Sequence, residues 1–242
     1  MKKFIAEDSF WDLFPGASLG VIVARGMRPA DDVSPEAEAE IRALLARANT
    51  LAERHLESPT LSENAPIRVW RQAYQQFKTK RGARCSIENL LKRVLKGNPV
   101  GPISPSVDLY NAMSLKYALP FGGEDIDAFA GNLRLAVTQG GEAFLPLGEG
   151  AENDPTLPGE LAYLDDAGAV CRCWNWRDGV RTALTDDTRN AFLIVECVDP
   201  DRVEDCRAAT DELASLIEAH LGATIAVKEL ITADRREVVI EA

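Results

Sequence analysis

The chain has 242 residues, of which 46% are hydrophobic and 27% charged, a composition ordinary for a globular protein that buries a substantial core. Its formal net charge of −11 is unfavourable for binding nucleic acid over the whole surface, and we expect no DNA partner. No run approaches the roughly 20 apolar residues of a membrane span, and acidic residues follow the two lysines at the start, so we expect neither a membrane anchor nor a signal peptide.

The first half of the chain predicts one buried strand and four helices. Residues 18–24, S-L-G-V-I-V-A, form a continuous β-branched run typical of a buried strand. Ser34 followed by Pro35 indicates the N-terminus of a helix, and Gly97 indicates the end of a later one. Apolar residues at three-and-four spacing place the helices at 35–57, 67–78, 86–96 and 106–118.

The second half is richer in strands. One long helix begins after Asp199-Pro200 and is stopped by Gly222. The predicted strands are 133–138, 142–145, 161–164, 169–177, 191–198, 224–231 and 237–240. Most of the predicted helices precede most of the predicted strands, and one helix packs onto the sheet near the end of the chain. This order of elements predicts an α+β fold.

A hairpin predicted within residues 157–188 is the stretch most suggestive of a site. The D-D-A-G sequence at its centre suits a turn, because aspartates bond their own backbone and glycine accepts positive φ. Alternation divides the returning strand into two faces, one with Arg172, Trp174 and Trp176 and the other with Asn175 and Arg177. Two interpretations remain open: a tryptophan-rich core strand, or a cleft wall at 174–178 with tryptophans for stacking and arginine for anions.

A block of basic residues lies between positions 68 and 96. It holds nine basic side chains and one acid, Glu88, inside a chain that is acidic as a whole. The basic residues are Arg68, Arg71, Lys78, Lys80, Arg81, Arg84, Lys92, Arg93 and Lys96. Either a phosphate-binding patch or a set of solvated helix faces and a loop accounts for the pattern.

Common catalytic and cofactor signatures are absent from the sequence. There is no G-x-G-x-x-G, P-loop, G-x-S-x-G or H-E-x-x-H, and we expect no cofactor. The five cysteines are scattered, which predicts a reducing, cytoplasmic location. With no C-x-x-C pair and only two histidines, we expect no metal site. Both histidines, His55 and His220, lie near helix ends, so any hydrolysis would use an activated water, a carboxylate and hydrogen-bond donors.

Several phrases in fixed order resemble a known family. They are V-D-L-Y-N-A-M-S-L at 107–115, G-G-E-D-I-D-A-F-A-G-N-L-R-L-A at 122–136, G-G-E-A-F-L-P-L-G at 140–148, G-E-L-A-Y-L-D at 159–165 and D-D-T-R-N at 186–190. Together they resemble the B3/B4 domain of the bacterial phenylalanyl-tRNA synthetase β subunit, and W-N-W-R-D resembles its free-standing members. The resemblance covers about 67–198.

That resemblance implies a three-layer α+β fold, a β-sandwich of unusual topology flanked by helices. We expect a single B3/B4-like domain over 1–242, in which 1–64 is an N-terminal extension and 199–242 adds the C-terminal helix and strands.

The resemblance also implies a function, because the synthetase domain removes tyrosine wrongly attached to the phenylalanine tRNA. Carried over to this chain, Asn111 and Ser114 would line the cleft, with Trp174, Asn175, Trp176 and Arg177 as its opposite wall. Glu160 or Asp178 would orient the water. Alternatively, Glu160 would bind an amino group. Arg172 or Arg177 would bind a phosphate or carbonyl oxygen. The tRNA backbone would lie on Lys78, Lys80, Arg81 and Arg84.

Two departures from the family pattern bear on mechanism. The synthetase phrase P-L-H-A-F-D carries a histidine of the editing pocket, whereas this chain has P-F-G-G-E-D at 120–125, which offers Glu124 or Asp125 in its place. A small-residue stretch of the synthetase is replaced by the bulky C-W-N-W-R. Three functions therefore remain open: a trans-acting aminoacyl-tRNA deacylase, a non-catalytic tRNA- or RNA-binding module, and a small-molecule binder or hydrolase without RNA affinity.

Overall fold

The computed structural model describes residues 1–148 and 152–241, so the last position of the expected domain, 242, lies outside the described residues. The helices within these ranges are α1 (Asp8–Leu13), α2 (Pro35–Ala52), α3 (Ala65–Ala73), α4 (Ser86–Leu95), α5 (Pro105–Tyr117) and α6 (Val203–Leu221). The strands are β1 (Lys2–Ala6), β2 (Ser18–Arg25), β3 (Phe121–Asp125), β4 (Leu133–Val137), β5 (Leu161–Asp165), β6 (Gly168–Arg172), β7 (Arg177–Asp178), β8 (Ala191–Cys197), β9 (Thr224–Ile231) and β10 (Glu237–Glu241).

Two sheets pack face to face and are covered by helices on one side. The larger sheet has the order β10-β1-β4-β5-β6-β7, and the smaller has the order β3-β8-β2-β9. Within the larger sheet β1 and β4 run parallel, whereas the smaller sheet is antiparallel throughout. The rings of Phe4 and Phe192 lie 5.2 Å apart between the sheets. Helices α5 and α6 cover the outer face of the smaller sheet, and α2 packs on α5. This is the predicted α+β arrangement of a flanked sandwich.

The N-terminal residues supply interior strands to both sheets. β1 lies between β10 and β4, and β2 lies between β8 and β9. The close packing of α6 on β2 depends on Gly20, because a Cβ there would stand 1.8 Å from the Thr210 hydroxyl oxygen. The segment 1–64 is therefore built into the sandwich.

Several predicted elements differ in the structure. β1, α1 and β3 form where no element was predicted, and α2 ends at Ala52 instead of residue 57. The helix α3 ends at Ala73 instead of residue 78, and after the turns at 74–76 the Lys78 amide donates to the Gly159 carbonyl (2.8 Å). No strand forms at 142–145, because its backbone bonds are divided between the segment 153–156 and single contacts with Ala169 of β6 and Val180.

The returning strand of the hairpin is shorter than predicted. β6 ends at Arg172, and Cys173 and Trp174 adopt left-handed φ values of 46° and 66°. The chain therefore turns back at 173–176 and pairs again as β7. The predicted alternation of faces fails beyond Arg172 because the strand itself is interrupted there. None of the described helices combines the length and apolar character needed to cross a bilayer.

Candidate functional site

A cavity lies between the two sheets, and strand pairing explains which side chains face it. On the smaller sheet, Gly122 and Glu124 of β3 stand opposite Ile194 and Phe192 of β8, so these residues share one face. On the larger sheet, Tyr163, Cys171 and Asp178 are aligned across β5, β6 and β7. Both sets line the same space of about 90 Å³, which is enough for several water molecules.

The turn after β6 closes one end of the cavity. Trp174, Asn175 and Trp176 line it there together with Ser86, the first residue of α4. Ser86, Asn175 and Trp176 are half-buried, so this end forms the mouth. Trp174 is fully buried, and its ring packs against Trp70, Phe14 and Phe10 at 4.8, 4.9 and 5.3 Å. Trp174 is thus core on one side and cavity wall on the other.

Glu196 is the best-held ionisable group in the cavity. The Tyr163 hydroxyl donates to one of its carboxylate oxygens and the Asn175 amide to the other. Asn175 is held in turn by the Tyr74 hydroxyl, which donates to its carbonyl oxygen at 2.8 Å. Burial raises the pKa of Glu196 to about 7, and the neighbouring donors of Tyr163, Asn175 and Trp174 lower it only in part. The group therefore exchanges a proton near neutral pH.

Two further carboxyl groups face the same space. Burial raises the pKa of Glu124 well above its usual value, and the charge of Asp178 raises it further. Burial also raises the pKa of Asp178. Glu124 is 6% exposed, and its Oε2 atom makes no hydrogen bond of normal geometry among the described residues, although the nearby Thr182 hydroxyl lowers its pKa.

Two donors in the cavity wall also lack a partner within the described part of the chain. One is the hydroxyl of Ser86, and the other is the indole N–H of Trp174, which lies beside Glu196 and Tyr163 but makes no hydrogen bond of normal geometry. Unpaired buried donors and acceptors are rare in folded proteins and indicate a place that a ligand or water would occupy. The cavity therefore offers both an acceptor and donors to a polar ligand.

The predicted catalytic residue Glu160 lies elsewhere, in a buried ion pair with Arg172. Both residues are 0% exposed, and the guanidinium donates to the carboxylate at 2.6 and 2.9 Å. The same carboxylate accepts from the amides of Leu157 and Cys173, each at 2.9 Å. Burial would raise the pKa of Glu160, but these hydrogen bonds outweigh it and hold the pKa below its usual value. Glu160 thereby fixes the start of the turn that carries Trp174.

The other predicted cleft residues are divided between the cavity and its surroundings. Trp174, Asn175, Trp176 and Asp178 line the cavity, whereas Asn111, Ser114, Arg172 and Arg177 do not. The Ser114 hydroxyl donates to the Leu119 carbonyl at 2.6 Å, at the end of α5. Arg177 is exposed, with its guanidinium 5.8 Å from the centre of the Trp176 ring. It lies just outside the mouth.

The basic loop at 78–84 lies beside the mouth. The Lys80 amide donates to the Cys173 sulfur at 3.3 Å, and the loop leads directly into Ser86. Lys80 forms an ion pair with Asp154, and Arg84 lies 3.8 Å from Glu88. Lys78 and Arg81 are exposed and have no acidic partner among the described residues.

Glu196 is the residue that sequence reasoning missed. It stands in the run A-F-L-I-V-E-C, where every residue is buried. A single acid inside a buried apolar strand is the signal that identifies it, because burial of an unpaired charge is costly.

The described residues hold no cluster of three or more histidine, cysteine or acidic side chains suited to a metal ion. Among the described residues, a more open groove of about 560 Å³ between α2 and residues 94–102 has only Arg42 and Glu53 as charged lining residues, so the sandwich cavity is the stronger candidate.

Comparison with known proteins gives the following relationships. The family described as the B3/4 domain matches residues 69–220, more than half of the chain. The N-terminal fragment of the phenylalanyl-tRNA synthetase β subunit from Pyrococcus horikoshii is similar in structure, with a TM-score of 0.46 and 12% sequence identity. The similarity covers 92% of this chain and 49% of that one, so the chain spans about half the length of the fragment. No curated protein matches the chain.

Proposed function

The chain belongs to the B3/4 domain family, and we propose that it is a tRNA-binding member that hydrolyses the ester of aminoacyl-tRNA in the cavity between its sheets. The observation that carries this proposal is Glu196, a buried carboxyl group with a pKa of about 7 at the mouth of a cavity with unpaired donors. A group that titrates near neutral pH can accept and return a proton, which is what ester hydrolysis through an activated water needs.

The proposed reaction uses Glu196 as its general base. The Glu196 carboxylate accepts a proton from water while the water oxygen attacks the ester carbonyl carbon. The indole N–H of Trp174 and the hydroxyl of Ser86 donate to the carbonyl oxygen as its negative charge develops. The bond to the ribose oxygen then breaks, and Glu196 returns its proton to that oxygen, which leaves a free amino acid and an uncharged tRNA.

The basic loop would hold the tRNA. Lys78 and Arg81 lie free of acidic partners among the described residues, beside the mouth where the ester would enter. Lys80 and Arg84 would contribute less, because each already lies near an acid. A local basic patch of this kind binds phosphates even on a protein of net negative charge.

The remaining assignments follow from this proposal. Residues 1–242 would act as one domain, since β1 and β2 complete the two sheets. All five cysteines are buried free thiols, which supports the expected cytoplasmic location.

The test is deacylation of a panel of tRNAs carrying each proteinogenic amino acid, including tyrosine on the phenylalanine tRNA. We expect wild-type protein to hydrolyse at least one species and Glu196→Gln to lower that rate by about 10²–10⁴-fold, the usual contribution of a general base. Glu218→Gln, an exposed change on α6, is the matched control and should leave the rate unchanged.

Three results would contradict the proposal. An unchanged rate in Glu196→Gln removes that residue from the mechanism. Hydrolysis of no species, with measurable tRNA binding, identifies a binding module instead, and absence of both activities would indicate a small-molecule ligand.

A further inference from the structure

We infer that Tyr74 is a positioning residue for the proposed hydrolysis, because its hydroxyl group fixes the Asn175 amide that faces the Glu196 carboxylate. The inference rests on the proposed function and adds a residue that is not part of the cavity lining. Tyr74 follows the last residue of α3 and lines a second pocket of about 290 Å³ between α3, the basic loop and α4. It therefore stands between that pocket and the mouth of the cavity.

Helix α3 holds two consecutive residues of the turn that closes the cavity. Trp70 and Tyr74 are four residues apart, so they lie on the same side of the helix. The centres of the Trp70 and Trp174 rings are 4.8 Å apart. One turn further along, the Tyr74 hydroxyl donates to the carbonyl oxygen of Asn175 at 2.8 Å. The packing of α3 therefore places Tyr74 on the Asn175 side chain.

The hydrogen bond from Tyr74 decides which way the Asn175 amide points. An asparagine amide has an oxygen that accepts and an NH₂ group that donates. Because Tyr74 donates to the oxygen, the NH₂ group faces Glu196 and donates to its carboxylate. The Ser86 backbone amide also donates to that oxygen, but at 3.4 Å it is the weaker of the two donors. Tyr74 is therefore the main group that holds this orientation.

This orientation favours the ionised form of Glu196, which is the form that accepts a proton from water. A donor bonds a charged carboxylate more strongly than a neutral carboxyl group, and the Asn175 amide accordingly lowers the pKa of Glu196. Burial raises the pKa of Tyr74 well above its usual value, so its hydroxyl keeps its proton and remains a donor near neutral pH. Loss of that hydroxyl should therefore raise the pKa of Glu196 and leave less of the base ionised.

The first test is the pH dependence of deacylation by Tyr74→Phe. The substitution keeps the ring, whose centre lies 5.2 Å from that of Phe77, and removes only the hydroxyl group. We expect the pH of half-maximal rate to rise by about 0.5–1 unit, the effect of one neutral hydrogen bond. The rate at pH 6 then falls by about 3- to 10-fold, and the two rates approach each other above about pH 8. A merely structural defect would lower the rate by the same factor at every pH.

A second measurement observes Glu196 without any hydrolysis. Nuclear magnetic resonance of protein labelled with ¹³C-glutamate follows the side-chain carboxyl carbon of Glu196 through pH, and the Glu196→Gln spectrum assigns its signal. We expect the pKa of Glu196 to be about 0.5–1 unit higher in Tyr74→Phe than in wild type. Tyr117→Phe is the matched control, because the Tyr117 hydroxyl also donates to a carboxylate, that of Glu212 at 2.6 Å, away from the cavity. It should leave the titration of Glu196 unchanged.

The titration is measured at the Glu196 carboxyl itself because other ionisable groups share its surroundings. They are Glu124 on β3, Tyr163 on β5, Cys171 on β6, Asp178 on β7, Cys85 before α4 and Cys206 on α6. None of these side chains is changed in the variants.

A double-mutant cycle tests whether Tyr74 acts through Asn175. Asn175→Ala removes the amide and should move the rate profile in the same direction as Tyr74→Phe. In the Asn175→Ala background, Tyr74→Phe should then produce no further shift. Additive shifts would show that Tyr74 acts by another route and would overturn the inference.

The outcomes separate the inference from the proposed function. Hydrolysis by Tyr74→Phe with the wild-type pH profile, or with one factor of loss at every pH, supports the function and overturns the inference. A raised pKa of Glu196 in Tyr74→Phe, in a protein that hydrolyses no aminoacyl-tRNA, supports the link from Tyr74 to Glu196 and overturns the function. An unchanged titration of Glu196 overturns the inference whether or not the protein is active.

Discussion

Glutamine at position 196 removes one buried ionisable group while preserving its shape and contacts. The Tyr163 hydroxyl and the Asn175 amide both donate to the Glu196 carboxylate. A glutamine can keep both hydrogen bonds, because its carbonyl accepts from Asn175 and its NH₂ donates to the hydroxyl oxygen of Tyr163. The change therefore isolates the cost of ionising this carboxyl inside the protein.

The size of that cost follows from the pKa. Burial raises the pKa of Glu196 from 4.5 to about 7, so the folded protein holds the proton more tightly than the unfolded chain. The resulting stabilisation is complete below pH 4.5 and is lost as pH rises through 7. At 1.36 kcal/mol per pH unit, the loss between pH 5 and pH 8 is on the order of 2–3 kcal/mol.

Urea unfolding at several pH values between 5 and 8 measures this loss. We expect the free energy of unfolding of Glu196→Gln, relative to wild type, to rise by about 2–3 kcal/mol from pH 5 to pH 8. Glu218→Gln should follow the wild-type profile. Parallel profiles for wild type and Glu196→Gln would refute the assignment of the raised pKa to Glu196.

Two further predictions concern the basic loop and the buried ion pair. Changing Lys78 and Arg81 together to alanine should weaken tRNA binding and reduce the slope of log affinity against log salt concentration by about 2, which is about 1 for each lost phosphate contact. Arg47→Ala on α2 is the control. An unchanged slope would show that the basic loop does not contact the tRNA. Glu160→Ala should lower the free energy of unfolding by about 3–5 kcal/mol, since it leaves the Arg172 charge buried without its partner. A free energy of unfolding close to that of wild type in chemical denaturation would contradict the structural role of this ion pair.

The elements that the sequence predicted best have strong local signals. The apolar runs of β2 and β8 and the Gly222 stop of α6 were placed within one or two residues of their observed ends. The family and the α+β sandwich predicted from the ordered phrases are confirmed. β3 was missed because F-G-G-E-D has weak strand propensity, and it forms through its pairing with β8, which is distant in sequence.

The site was harder to predict because long-range contacts define it. Strand alternation could not anticipate that Glu160 binds the Cys173 amide and turns the chain at Trp174. Glu124 was available from the sequence only as a replacement for a missing histidine. Glu196 carried a local signal, but its raised pKa comes from burial between the sheets, and its hydrogen bond with Tyr163 joins it to the opposite sheet; no local pattern encodes either feature.

If hydrolysis takes place inside the sandwich cavity, a larger side chain at Gly122 should abolish it. A Cβ at Gly122 would meet only the Ile194 methyl group at 3.6 Å, an ordinary contact, so a leucine can enter and fill the cavity. Gly122→Ala leaves most of the space open and is the matched control. We predict that Gly122→Leu binds tRNA like wild type but no longer deacylates it, while Gly122→Ala retains activity. Deacylation at the wild-type rate by folded Gly122→Leu would show that hydrolysis takes place outside the cavity.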